Sequence, residues 1–119
     1  MMRAKEVGAM PPLLIRTFHS KRKMQEALAK QGLFPSLDSD CLTFSVETDS
    51  GMASFVLIGR KDRSPETLGV IAHEAVHVAQ AYFDGISEGS PAAEEMAYVT
   101  QAAATEILRW HLGKESRCT

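Results

Sequence analysis

The stretch that decides the fold runs from Val70 to Gln80 and reads V-I-A-H-E-A-V-H-V-A-Q. It holds two of the four histidines of the chain, His73 and His77, with Glu74 directly after the first. On a helix that turns about 100° per residue, these histidines lie about 40° apart and one turn from each other. Two imidazoles placed in this way can reach one metal ion at bond lengths of about 2 Å. The pattern therefore indicates either a metal site or two polar residues that share a solvated helix face.

The flanking residues predict a long helix with one buried face. Ser64 can cap its start and Pro65 suits its first position, while Gly85 marks its end. The histidines share one side of this helix with Gln80 and Asp84. The opposite, apolar arc contains Leu68, Ile71, Ala72, Ala75, Ala79, Tyr82 and Phe83. We therefore expect the apolar arc to pack on the core and the histidines to face a cleft.

The spacing H-E-x-x-H divides the chemistry among its three polar residues. Glu74 is rotated by about 100° from His73, off the apolar arc and too far round to share the same ion easily. Its carboxylate can still lean over a water molecule that the metal binds. The pattern is therefore typical of two metal ligands, His73 and His77, with Glu74 as a general base.

A hydrolytic zinc site usually has three protein ligands, and the candidates for the third lie in E-E-M-A-Y, residues 94–98. Glu94 lies near a stripe of mostly small residues that would pack against the histidine helix, whereas Glu95 lies on the side expected to face solvent. The stripe contains Ala93, Ala97, Gln101, Ala104 and Leu108. We favour Glu94 and keep Glu95 as the alternative. Tyr98, one turn after Glu94, could orient a ligand or donate a hydrogen bond to an oxyanion.

The remainder of the chain predicts an α+β fold. Leu13 to Phe18 is a possible short strand, and Ser20 can cap a helix over residues 21–31. Cys41 to Thr48 and Met52 to Gly59 are strand-like segments around the turn Asp49-Ser50-Gly51, so they predict a hairpin. Ser90 and Pro91 would open a last helix that ends near Leu112, with Gly113 as its stop. We expect a loose leader over residues 1–10, one domain over 11–113 and a tail over 114–119.

Composition excludes several classes of function. The net charge of -2 supplies no basic field for nucleic acid. No apolar run approaches the roughly 18 residues that would span a membrane. Cys41 and Cys118 are far apart in the sequence, which favours reduced thiols and a cytoplasmic location. The exposed edge of the hairpin makes a homo-oligomer possible.

The two motifs together resemble the gluzincins, zinc metallopeptidases in which a glutamate on a later helix completes the site. H-E-A-V-H supplies the first motif and E-E-M-A-Y the second, in the manner of short single-domain members from bacteria, phages and prophages. Glu94 and Ala97 match the spacing of that second motif. The resemblance implies a minimal zincin-like fold, with a small antiparallel sheet packed on the histidine helix. It also implies zinc bound by His73, His77 and Glu94, with Glu74 as the base.

Three functions are compatible with these observations. The first is a zinc metallopeptidase that acts on a peptide or protein substrate. The second is a non-catalytic phage or prophage accessory or assembly protein built on a zincin-like scaffold. The third is a small interaction module in which the motif is accidental. Metal content separates the third function from the other two, and an activity assay separates the first two.

Overall fold

The structure, a computed structural model, describes residues 3–7, 10–85 and 93–116. These residues form α and β elements in the order β1 (Arg3–Val7), β2 (Met10–Phe18), α1 (Lys21–Ala29), β3 (Cys41–Thr48), β4 (Gly51–Ile58), α2 (Pro65–Gly85) and α3 (Ala93–Ser116). The predicted α+β class is therefore confirmed. Within the described residues, each helix is either too short or too polar to cross a membrane.

The strands form one sheet in the order β1-β2-β4-β3. β3 and β4 form the predicted antiparallel hairpin, in which Thr48 pairs with Gly51 across the turn. Gly51 has a φ of 123°, a conformation that side chains rarely tolerate. β2 and β4 are parallel, however, so the sheet is mixed and the expectation of an antiparallel sheet was wrong for this pair. The reason is that the chain crosses over through α1 and β3 before it returns beside β2.

Regular secondary structure extends beyond residues 11–113 at both ends. The leader contributes β1, which pairs antiparallel with β2, and β2 itself begins at Met10. At the other end, α3 continues past Gly113 to Ser116, into the predicted tail. Gly113 has no positive φ, and a glycine in a helix costs only about 1 kcal/mol relative to alanine, so it need not end one. The expected helix opening at Ser90 and Pro91 lies outside the described residues.

Two apolar cores lie on opposite faces of the sheet. On one face α1 packs against Phe18 and the β4 side chains Phe55 and Leu57. On the other face α2 and α3 pack against β2 and β4, whose buried residues here are Leu13, Ile15, Val56 and Ile58. The central strand β4 is buried on both faces, since its side chains alternate between the two cores. The predicted apolar face of β3, formed by Leu42, Phe44 and Val46, contacts the α1 core. The opposite face of β3 is therefore left to meet α2.

Candidate metal centre

A hydrogen-bond network fixes the start of α2, two turns before the histidine pair. The backbone N–H of Thr67 donates to Ser64 Oγ, which confirms Ser64 as the cap. Asp62 Oδ1 accepts hydrogen bonds from the backbone N–H of Ser64 at 3.0 Å and from Thr67 Oγ1 at 2.7 Å. Hydrogen bonds from Ser64 and Thr67 hold the pKa of the Asp62 carboxyl well below its usual range. The sequence analysis missed Asp62, although an aspartate two residues before a helix cap is a recognisable turn signal.

His73 and His77 are exposed on α2 and lie side by side. Their Nε2 atoms are 3.2 Å apart, and their rings meet edge to face with centroids separated by 4.9 Å. Two zinc–nitrogen bonds of about 2.05 Å at a tetrahedral angle would place the nitrogens about 3.3 Å apart. The spacing of the two imidazoles therefore fits two ligands of one zinc ion.

Glu74 lies between the histidine helix and the hairpin. Its side chain is only 4% exposed. Oε1 accepts a hydrogen bond of 2.6 Å from the hydroxyl of Thr43, which stands on the α2-facing side of β3. Oε2 has no hydrogen-bond partner among the described residues. Thr43 thus fixes one oxygen of the Glu74 carboxylate. The sequence did not predict this contact, because Thr43 and Glu74 lie 31 positions apart.

An open cleft of about 440 Å³ runs between α2 and the edge strand β3. The α2 wall contains the histidines, Gln80 and Asp84, as the sequence predicted for this side of the helix, and Glu74 lines it as well. The β3 wall contains Thr43 and Ser45. A second open depression continues past His73 and Glu74 toward the start of β3, where Arg60 and Glu66 line it. His73 and Glu74 therefore lie where the two depressions meet, and together these depressions follow the edge strand β3.

The buried face of α2 differs in part from the predicted apolar arc. Ile71, Ala75, Ala79, Tyr82 and Phe83 are buried as expected, but Ala72 is exposed. Glu74 takes a place in the buried face instead. Alanine tolerates either environment, and the position of β3 decides which side of the helix is covered.

Glu94, Glu95 and Tyr98 are exposed on the first turns of α3, and none of them lines the cleft. Tyr98 is 58% exposed. The predicted packing stripe on α3 was wrong in part: Ala104 and Leu108 pack against the core, but Ala97 and Gln101 are exposed. The fully buried face is formed by Val99, Ala103 and Ile107. This side of α3 carries the two large aliphatic side chains Val99 and Ile107 together with Ala103. The preference for Glu94 then rests on the second-motif spacing, and its ligand role remains a prediction.

The donor set of the described residues is incomplete for a hydrolytic zinc site. The histidine pair fits two ligands, but no group of three histidine, cysteine, aspartate or glutamate side chains within residues 3–7, 10–85 and 93–116 is arranged to hold a metal ion. A third protein ligand would require a movement of α3 or a side chain from elsewhere. The structure therefore supplies two ligands and an oriented base.

Comparison with known proteins adds no relative. No protein-family model matches the chain, and no curated protein or solved structure matches it significantly. The function must therefore be argued from the cleft itself.

Proposed function

We propose that the protein is a zinc-dependent metallopeptidase that hydrolyses peptide bonds in the cleft between α2 and β3. The observation that carries this proposal is the 3.2 Å separation of the His73 and His77 Nε2 atoms beside a glutamate that Thr43 orients. In this proposal the histidines hold zinc, together with Glu94 as the predicted third ligand. A bound zinc ion would lower the pKa of a water molecule and polarise a carbonyl group.

The remaining chemistry belongs to side chains of this chain. Thr43 keeps Glu74 Oε1 in place, so Oε2 can accept a proton from the attacking water and then donate it to the leaving amine. The low exposure of Glu74 protects this carboxylate from bulk solvent on the side of β3. Tyr98 would contribute to oxyanion stabilisation only if α3 approached the cleft, because this tyrosine is now exposed.

The unpaired outer edge of β3 indicates the class of substrate. β3 is the last strand in the order β1-β2-β4-β3, so its outer edge is unpaired within the described sheet. An extended peptide can add to such an edge through main-chain hydrogen bonds. Ser45 and Thr43 line the cleft from this strand, directly across from His73 and His77. A peptide bound along β3 would therefore pass over the motif residues.

Metal binding provides the first test of this proposal. We expect protein purified without chelator or histidine tag to carry about one zinc ion per chain by elemental analysis. His73→Ala or His77→Ala should abolish binding, because the loss of one of a few ligands breaks the site. His19→Gln is the matched control, since it alters the other histidine pair and should leave zinc uptake unchanged.

Glu94→Ala should weaken zinc binding more than Glu95→Ala. Absence of tight zinc uptake by the native chain would refute the proposal.

Turnover provides the second test. Glu74→Gln keeps a side chain of the same size and a hydrogen-bond acceptor for Thr43, so folding and zinc content should be preserved. Glutamine cannot accept the proton, and cleavage of a mixed peptide library, read by mass spectrometry, should fall by roughly two or more orders of magnitude. Cleavage that persists unchanged in the variant would point to a contaminating protease.

A non-catalytic accessory or assembly protein of a phage or prophage is the alternative. The observation that favours it is the missing third donor among the described residues. Zinc bound by both the native chain and Glu74→Gln, with no cleavage by either, would favour this alternative over the peptidase. Both functions are assigned to the cytoplasm, where Cys41 would remain a free thiol.

A further inference from the structure

A further cavity, separate from the histidine cleft, is lined by residues from the end of β2, the start of α1, the loop before α2 and helix α3. It has a volume of about 350 Å³. Two residues with hydroxyl groups, Thr17 and Ser20, line it, and so do Lys23 and Lys61. His19 and Trp110 complete the part of the wall used below. None of these residues takes part in the proposed peptidase site.

A histidine and a tryptophan stack on each other in this wall. His19 stacks on Trp110 with ring centroids 4.0 Å apart and an interplanar angle of 23°. His111 Nε2 lies 2.8 Å from the carbonyl oxygen of Asp62, to which it must donate. Its Nδ1 lies 3.0 Å from His19 Nε2, so the two imidazoles share one hydrogen bond whose direction depends on which of these nitrogens carries the proton.

Lys23 and Lys61 give the cavity a positive charge. Among the described residues no acidic side chain lines it, and neither lysine has an ion-pair partner. The neighbouring basic residues of α1 differ in this respect, since Lys21 lies 3.9 Å from Asp40 and Arg22 lies 2.7 Å from Glu26. Two lysines without a carboxylate partner among the described residues thus line the same cavity as two hydroxyl-bearing residues, Thr17 and Ser20.

We infer that this cavity binds a phosphate-class oxyanion, either inorganic phosphate or a small phosphate monoester. Ammonium groups and hydroxyls are the donors that such an anion requires, and hydrogen bonds between charged partners are stronger than neutral ones. The cavity volume of about 350 Å³ accommodates the phosphate group with room for a small ester substituent.

Trp110 reports occupancy directly, because it is the only tryptophan of the chain and lines the cavity. We expect its fluorescence to saturate when the full-length protein is titrated with inorganic phosphate at pH 7. Chloride at matched ionic strength should give no saturating change. A parallel titration with glycerol 3-phosphate separates the two sources of the anion, since tighter binding of the ester would identify a monoester site and weaker binding a site for free phosphate.

Charge-removing variants decide whether the site is the one described. Lys23→Gln and Lys61→Gln should each weaken phosphate binding roughly tenfold or more, the scale expected for loss of a charge-assisted hydrogen bond. Lys30→Gln is the matched control, because Lys30 is an exposed lysine at the other end of the same helix. A second readout is the NMR titration of His19, whose pKa should rise when phosphate is bound. Equal phosphate affinity in the native chain and both cavity variants would overturn the inference, as would an identical response to chloride.

Discussion

A carboxylate buried beside an open cleft needs a hydrogen-bond donor, and Thr43 supplies one to Glu74. The 2.6 Å bond joins the edge strand to the histidine helix and holds Glu74 where only 4% of it is exposed. A buried polar group that loses its hydrogen-bond partner lowers the free energy of unfolding by more than the intact bond contributes to it. Thr43 therefore has a role in stability that is separate from any role in catalysis.

Replacement of this donor gives a prediction at the residue scale. Thr43→Val removes the hydroxyl and keeps the branched shape, so the free energy of unfolding should fall by about 1–3 kcal/mol. Thr43→Ser retains the hydroxyl and should lose less. Urea unfolding at pH 7 measures both. If valine and serine destabilised the protein equally, the hydrogen bond would not be the cause.

Individual side chains were predicted well from the sequence only where one helix decided their surroundings. His73, His77, Gln80 and Asp84 line the cleft as their helical positions indicated. The burial of Glu74 was not foreseen, because a projection of α2 does not contain the strand that covers it.

At the scale of single elements, Gly59 and Gly69 differ in the space that the surrounding backbone leaves for a side chain. Gly59 follows β4, where its N–H donates to the carbonyl oxygen of Asp40 at 2.7 Å. A Cβ atom at this position would lie 2.5 Å from the same oxygen, far inside normal contact. Gly69 lies within α2, and a Cβ there would meet nothing within 4 Å. The first glycine is thus required by a close approach, and the second is not.

Alanine substitutions at the two glycines should therefore shift stability in opposite directions. Gly59→Ala forces the Asp40 segment away and should lower the free energy of unfolding by about 1–3 kcal/mol. Gly69→Ala should raise it by about 0.5–1 kcal/mol, because alanine is the better helix former. Chemical denaturation of both variants checks the pair. Shifts of the same sign would contradict this explanation.

Element boundaries were predictable where their signals are local. The caps Ser20 and Ser64 and the turn before Gly51 act on neighbouring residues, and the structure confirms all three. The pairing of β1 and β2 and the parallel alignment of β2 with β4 depend on which segments meet after folding. No local pattern in the sequence specifies that choice.

On the scale of the whole molecule, His19 and His111 tie together three distant segments. They connect the end of β2, the last part of α3 and the loop before α2, through the carbonyl oxygen of Asp62. Burial, together with the positive charges of His111 and Lys61, lowers the pKa of His19 from 6.5 to about 4. The folded protein therefore keeps this imidazole neutral at pH values where the unfolded chain would protonate it.

The stability of the protein should consequently depend on pH in a defined window. Between pH 6.5 and about 4 the unfolded chain binds a proton at His19 that the folded protein does not, so the free energy of unfolding should fall as the pH falls. His19→Gln removes this titration and should reduce the slope. Urea unfolding across that range, in phosphate-free buffer, measures the effect. Equal slopes for the two proteins would assign the pH dependence to other groups.

The parallel alignment of the two inner strands also sets the order in which the protein can fold. Leu14 pairs with Ala53, 39 positions later, so these strands can meet only after a long loop has closed. The β3–β4 hairpin needs only its short turn and can form within microseconds. We therefore expect the β3–β4 hairpin to form first and to pair with β2 afterwards. Before β4 pairs with β2, neither apolar core is complete. The cleft that holds the histidines then lacks the wall that β3 provides.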